Sequence, residues 1–314
     1  MSAFSELMNR NRVSRSRQRK ATNAAMLSVT GLVTLLALIP LFWIIGYVII
    51  RGGKSINLDF FIHMPTPLGM AGGGVLSAIE GTVVVTLLAA LFAIPPGVLA
   101  AFYAARNPNT PLGVALRFST DVLAGVPSIV IGLFAYSVLV VPMGHYSGLA
   151  GGAALAVLML PTIIRTTEEM LKLVPATLRE ASMGLGAPDW KTSLNVLFLA
   201  ASSGIITGFL LALARAAGET APLLMTTLGN EHFDIGQIVR SGVQGRQSIF
   251  TIFGRIINQP VDSLPLALWK YAQQPYPERV EQAWSVALVL MLIVLLVNVT
   301  ARLWIQNRTR RMKG

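Results

Sequence analysis

Cysteine is absent from all 314 residues, which excludes disulfide frameworks, thiolate nucleophiles and cysteine metal sites. Histidine is nearly absent: His63, His145 and His232 stand far apart and form no ligand spacing. Charge is scarce as well. Only 12% of residues are Asp, Glu, Lys or Arg, about half of the roughly 25% usual in soluble domains. There is no glycine-rich ATPase loop and no serine in an elbow motif. No enzyme constellation is left. Uphill work by this chain would draw on a partner or on an ion gradient.

What is there is apolar, at 54% of the chain. Uncharged runs occupy Ala21–Ile50, Gly81–Ala105, Val122–Ile164, Thr192–Ala214 and Gln282–Ala301. A bilayer needs about 20 mostly apolar residues per helix. The third run holds two helices around the turn-forming Pro142-Met-Gly-His-Tyr-Ser-Gly148. The count is six spans, in an all-α membrane protein. The basic start followed by an apolar run has the look of a signal peptide, but its length exceeds the roughly 7–15 residues of a signal core. It reads as a first transmembrane helix.

The formal charge of +11 invites a nucleic-acid reading. Membrane proteins, however, keep Lys and Arg on the cytoplasmic side. With six spans both termini share one side, and that side collects seventeen of the 25 basic residues. Seven fall on the other side, and Arg215 lies within a span. Both termini are therefore expected in the cytoplasm, and no nucleic-acid partner is expected. Residues 1–23 read as a cytoplasmic basic arm against anionic headgroups, 24–50 as the first span, 75–306 as the helical bundle and 307–314 as a basic tail.

The second span is expected over Leu76–Ala104, kinked at Pro95-Pro96. Glu80 near its outer end is either a headgroup-level carboxylate or part of a path. The third is expected to open at Asp121, itself interfacial or functional, and to carry Gly125, Pro127, Ser128 and Gly132. Such residues allow close helix approach and can leave carbonyls free to a pore. The fourth is placed at Gly148–Ile164 and the fifth at Leu199–Gly218, with Ser202, Ser203, Gly204, Thr207 and Gly208 on its inner half. Trp284 and Trp304 bracket the sixth as interfacial anchors. The outer connection Gly52–Gly74 reads as irregular, and SLPLALWKYAQQ as an amphipathic piece lying at the interface.

Two places concentrate chemistry. The connection Arg165–Lys191 is long for a link between adjacent spans, and structured loops of that length are usually functional. Its pattern predicts two short helices. Thr166 caps the first, with Glu168 and Glu169 at its start; Gly184 and Gly186 mark a break; Pro188 and Asp189 open the second. Such a knob gives a soluble protein something to grip. At the other place, Arg215 and Glu219 are spaced i, i+4 and can bridge on one helix face. An arginine in the apolar region costs about 2.5–3.5 kcal/mol. It either lines a polar path or snorkels to the outer surface beside its own glutamate.

These residues resemble a known family. EASMGLGAPDW is similar to the coupling loop of binding-protein-dependent ABC importer permeases, with Glu180, Ala181 and Gly186 at the key places. PTPLGMAGGGVLSAIEGT, DVLAGVPSIVIGLFAY, LPTIIRTTEEMLKLVP, GIITGFLLALARAAGETAPLL and AWSVALVLMLIVLLVNVTARL resemble, in order, the PstA-type phosphate permeases. Ser182 stands where the motif usually has Ala, and the usual Leu-Pro near Leu199 is missing. The resemblance implies a type I ABC importer bundle with a cytoplasmic coupling helix. Implied partners are a PstC-type permease, an ATPase dimer carrying ATP-Mg, and a phosphate-binding protein; no cofactor is implied in this chain. The substrate path is then expected at Arg215, Glu219, Thr220 and Ser128. Sulfate, molybdate or phosphonate as cargo, and a stand-alone ion-driven carrier, stay open as alternatives.

Overall fold

A computed structural model of the chain describes residues 2–67 and 72–313. The described residues form helices, turns and irregular segments. The first is α1 (Ser2–Gly52), followed by the short α2 (Leu58–Ile62) and α3 (Leu76–Arg106). A broken rod follows: α4 (Pro111–Gly125), α5 (Ser128–Ala135), a π-helical turn, and α6 (Val141–Met143). Then come α7 (Gly148–Lys172), α8 (Ala176–Gly184) and α9 (Asp189–Lys191), which passes through a second π turn into α10 (Phe198–Ala217). The remainder is α11 (Ala221–Thr226), α12 (Ile235–Gln244), α13 (Ile249–Ile257), α14 (Leu264–Ala272) and α15 (Pro277–Lys313).

Among the described residues five helical stretches are long and apolar enough to cross a bilayer, and α4 with Ser128–Met143, bent by 104°, is a sixth when the pair is counted as one broken span. Counted as six crossings, the helices bring both termini to one end, called here the near end; the opposite one is the far end. Helices α3 and α7 run parallel, Leu88 beside Gly152 and Gly97 beside Ile163, and form the centre. Small residues let them approach: a methyl group at Gly152 would overlap Leu88, and one at Gly97 would meet Ile163. Around this seam Val85, Leu155, Met159, Ile163 and Ala212 are buried.

Several boundaries differ from expectation. The basic arm is helical and continuous with the first span, since α1 runs from Ser2 to Gly52 without a break. The third span starts at Pro111, capped by Thr110, ten residues before Asp121. The fourth continues past Ile164 to Lys172, and Thr166 is no cap: its hydroxyl bonds back to the Thr162 carbonyl inside the helix. Charges that end an apolar run need not end a helix when each finds a partner. Glu168 accepts from Arg117 (2.6 Å) and Lys172 (2.7 Å) and is only 8% exposed. The connection thus holds one short helix, α8, and the second expected helix is the start of the fifth span, at Asp189.

On the far side, α2 interrupts the irregular connection, and residues 68–71 of it lie outside the described residues. The Glu80 carboxylate accepts from the Ile235 amide at 2.7 Å and so caps α12. The piece expected to lie at the interface, α14, is instead core: Leu264, Leu266, Ala267 and Tyr271 are buried. Trp284 packs edge-on against Tyr47, 4.9 Å between ring centres, and joins the last helix to the first. The Trp304 side chain lies outside the described residues.

Candidate functional site

The depth of Arg215 follows from how α10 packs on α7. A methyl at Gly204 would overlap Met170, and one at Gly208 would overlap Thr166. Gly204 and Gly208, on the inner half of the fifth span, therefore seat it against α7. The same pairs fix an antiparallel register that brings Arg215 level with residues 158–162. Those lie ten to fourteen residues from the far-end start of α7, about 15–21 Å at 1.5 Å per residue. In an apolar layer about 30 Å thick that is near the middle.

The chain reaches mid-depth because α10 stops there. Its last residue is Ala217, and Gly218 follows as cap. Glu219 is therefore beyond the helix, although its Oε1 stays 3.7 Å from Arg215 Nε, an ion pair longer than a hydrogen bond. Thr220 then opens α11 by accepting the Leu224 amide. That helix climbs back to the far end, where the Thr226 carbonyl takes the Ser147 amide. A second break faces the first. Pro127 has no N–H to offer, and the Leu123 carbonyl bonds the Val126 amide instead. The two broken spans touch beyond their breaks, since a methyl at Gly132 would overlap the Pro222 backbone. Discontinuous helices meeting near the midplane are how many transport proteins build a site from freed backbone and helix ends.

Beside the breaks lies a cavity of about 90 Å³. Its polar lining is Thr120, Thr162, Arg165 and Arg215, and Leu123 and Leu158 form part of its wall. The sequence had placed Arg165 in a cytoplasmic connection. It sits on the helix face of Leu158, Pro161 and Thr162, a spacing visible in LPTIIR once the helix is extended. Asp121 answers its open question here, as partner of Arg165 at 3.3 Å; Glu169 stands 3.6 Å from the same guanidinium. Both arginines are more than half exposed and loosely paired, so their donor forks remain available to planar or tetrahedral oxyanions. Ser128 begins the helix past the break and is not part of this lining. A larger cavity of about 880 Å³ opens at the far end, but Asp59, Asp234, Glu278 and Glu281 line it, the wrong sign for an anion.

At the near end stands the knob. Pro175 and Pro188 bracket it, and α8 carries Glu180 and Ala181, both exposed. Gly186 takes φ +82°, the left-handed conformation that closes a helix end. The Leu185, Gly186 and Ala187 amides bond back to Ala181, Met183 and Ser182. Leu185 is 90% exposed, with Leu173, Met183 and Trp190 exposed beside it. A solvent-facing group of this size reads as a docking surface.

The family model described as "Binding-protein-dependent transport system inner membrane component" matches residues 97–314. PstA, the phosphate transport system permease protein of Yersinia pestis, is 39% identical over 90% of this chain and 90% of its own length. The chain belongs to the PstA permease family. Its PstA-family relative in Xylella fastidiosa (strain Temecula1) is 40% identical over 91% of this chain and 93% of that protein. PstA 1 of Mycobacterium tuberculosis H37Rv is 35% identical over 88% and 85%. Among solved structures, the inward-facing MetNI methionine ABC transporter superposes with a TM-score of 0.55, covering 74% of this chain and 95% of that one. At 17% identity this last likeness concerns the fold: the type I ABC importer permease bundle, which the PstA family shares.

Proposed function

We propose that this chain is the PstA-type membrane subunit of an ATP-driven phosphate importer, with residues 75–306 as its permease domain. The observation that carries the proposal is the cavity that Arg215 and Arg165 share beside two broken spans, with a docking knob at the near end. The chain is a transport subunit and not an enzyme. ATP-Mg is held by a separate ATPase dimer that grips α8 around Glu180, Ala181 and Gly186. A PstC-type permease covers the open side of the arginine cavity, and a phosphate-binding protein delivers cargo at the far end. The protein sits in the cytoplasmic (inner) membrane of a bacterium or archaeon, with both termini in the cytoplasm, as the Lys and Arg distribution favours.

Closure of the ATPase dimer pulls α8, and the bundle rocks about the fixed site, as alternating access requires. Phosphate passing the breaks accepts charge-assisted hydrogen bonds from Arg215 and Arg165, about twice as strong as neutral ones. Glu219 takes Arg215 back between turnovers, which keeps the site weak enough to release. Thr220 and Ser128 border the same breaks and supply neutral donors. The test is low-concentration uptake of radiolabelled phosphate in cells with and without the gene, with sulfate and molybdate as competitors. Loss of phosphate uptake alone, uncompeted by the other anions, is expected. Unchanged phosphate uptake in a strain free of other high-affinity systems would move the cargo to another oxyanion.

A further inference from the structure

A pull on α8 has to leave the knob through few contacts, because α8 buries none of its own residues against the bundle. One carboxylate gathers the connections. Asp189, first residue of the fifth span, pairs through Oδ2 with the guanidinium of Arg106, the last residue of α3. Its Oδ1 stands 3.4 Å from Arg179 on α8, the neighbour of Glu180. Arg106 also donates to Ser193 Oγ at 2.6 Å and reaches the Asp189 carbonyl at 3.5 Å. Ser182 and Thr192 share a further hydroxyl bond of 2.8 Å across the same junction. Three elements, the end of α3, the knob and the root of α9–α10, thus meet on Asp189. Glu168, the other well-paired carboxylate at this end, ties α4 to α7 and bonds nothing on α8.

We propose that Asp189 and Arg106 form the link through which movement of α8 reaches α3, and through α3 the central α3–α7 seam. Asp189 is a positioning residue: it touches neither cargo nor nucleotide. The inference rests on the importer reading above. Asp189 is 47% exposed and Arg106 23%, and exposed pairs add little to stability. Losing the link therefore disturbs coupling and leaves the fold in place.

The experiment reconstitutes the full complex in liposomes with its binding protein. It reads the ATPase rate stimulated by the loaded binding protein and the anion taken up per ATP hydrolysed. Asp189→Asn and Arg106→Gln are each expected to lower the anion-to-ATP ratio by about three- to ten-fold, with the ATPase still co-purifying. The double variant should be no worse than either single one, and Asp189→Glu should recover most of the ratio. A wild-type ratio in Asp189→Asn, or additive losses in the double variant, would overturn the proposal. If Asp189→Asn does not assemble, Arg106→Gln and Arg106→Lys decide alone: Lys must recover what Gln loses. Should the wild-type complex carry an oxyanion other than phosphate, the cargo assignment fails, while the ratio, read with that anion, still tests the link.

Discussion

Neutralising Arg215 is the sharpest perturbation of the cavity at the helix breaks. Arg215→Gln removes the donor fork from a site that retains Arg165, Thr120 and Thr162. A hydrogen bond to a charged group contributes about 1.5–3 kcal/mol, so its loss slows phosphate passage roughly 10- to 150-fold. A second effect adds to this. Glu219, held 3.7 Å from Arg215, is left as an unneutralised carboxylate facing the anion. At an effective dielectric of about 20, two like charges about 6 Å apart repel by roughly 3 kcal/mol. Together these predict a fall of at least about a thousand-fold, which ordinary uptake assays read as abolition. The second variant separates the two effects. Arg215→Gln/Glu219→Gln lifts the repulsion and should regain measurable uptake, slower than wild type by the first factor. Initial uptake rates of radiolabelled phosphate in cells lacking the native gene, with ATPase co-purification as the assembly control, check both. Normal uptake by Arg215→Gln would refute the role. No recovery in the double variant would refute the electrostatic account of it.

Three further outcomes are expected. Gly132→Val drives a side chain into the Pro222 backbone and should lower the thermal midpoint in detergent, with overpacking of about 1–3 kcal/mol; Gly125→Ala, with nothing within 4 Å of the added methyl, should leave it unchanged. Leu185→Asp changes the most exposed large apolar residue of the knob and should abolish co-purification of the ATPase at an unchanged midpoint; retention of the ATPase would place the docking surface elsewhere. Asp262 carries a pH prediction. Burial, partly opposed by the Lys270 ammonium 3.6 Å away, pushes its carboxyl above the ordinary aspartate range. The folded chain then holds this proton more tightly than the unfolded one, so stability rises as pH falls through the window between the two values. Denaturation midpoints against pH should show that slope in wild type and a flatter one in Asp262→Asn; parallel curves would sink it.

The spans were legible because their charge-free runs match the thickness of a bilayer, and the knob was legible because EASMGLGAPDW sits polar between two apolar blocks. The helix boundaries were not. Arg165 ended the apolar run and so was assigned to a loop; the helix in fact continues through it to Lys172, and the partner that accommodates its charge, Asp121, lies 44 residues away in sequence. The depth of Arg215 was equally hidden. A glycine after an arginine looks the same at a membrane surface as at mid-depth. Gly204 against Met170 and Gly208 against Thr166 set the register that places it beside α7, and such contacts leave no periodic trace. Leu264–Ala272 misled for a related reason: an amphipathic pattern tells that one face is apolar and says nothing about whether lipid or protein covers it.

The seam between the first helix and the last has a consequence for how the molecule is made. The Ser285 hydroxyl bonds the Gly52 carbonyl across 233 residues of chain, and Trp284 meets Tyr47 beside it. Synthesis at roughly 5–20 residues per second separates the two ends by about 10–50 s. Throughout that interval the earliest helix sits in lipid while its partner does not yet exist. A helix obliged to wait alone must be content with lipid on every side, and the stretch Thr22–Gly52 is built that way, almost wholly exposed even in the finished fold. Its uniform apolar surface is the imprint of birth order.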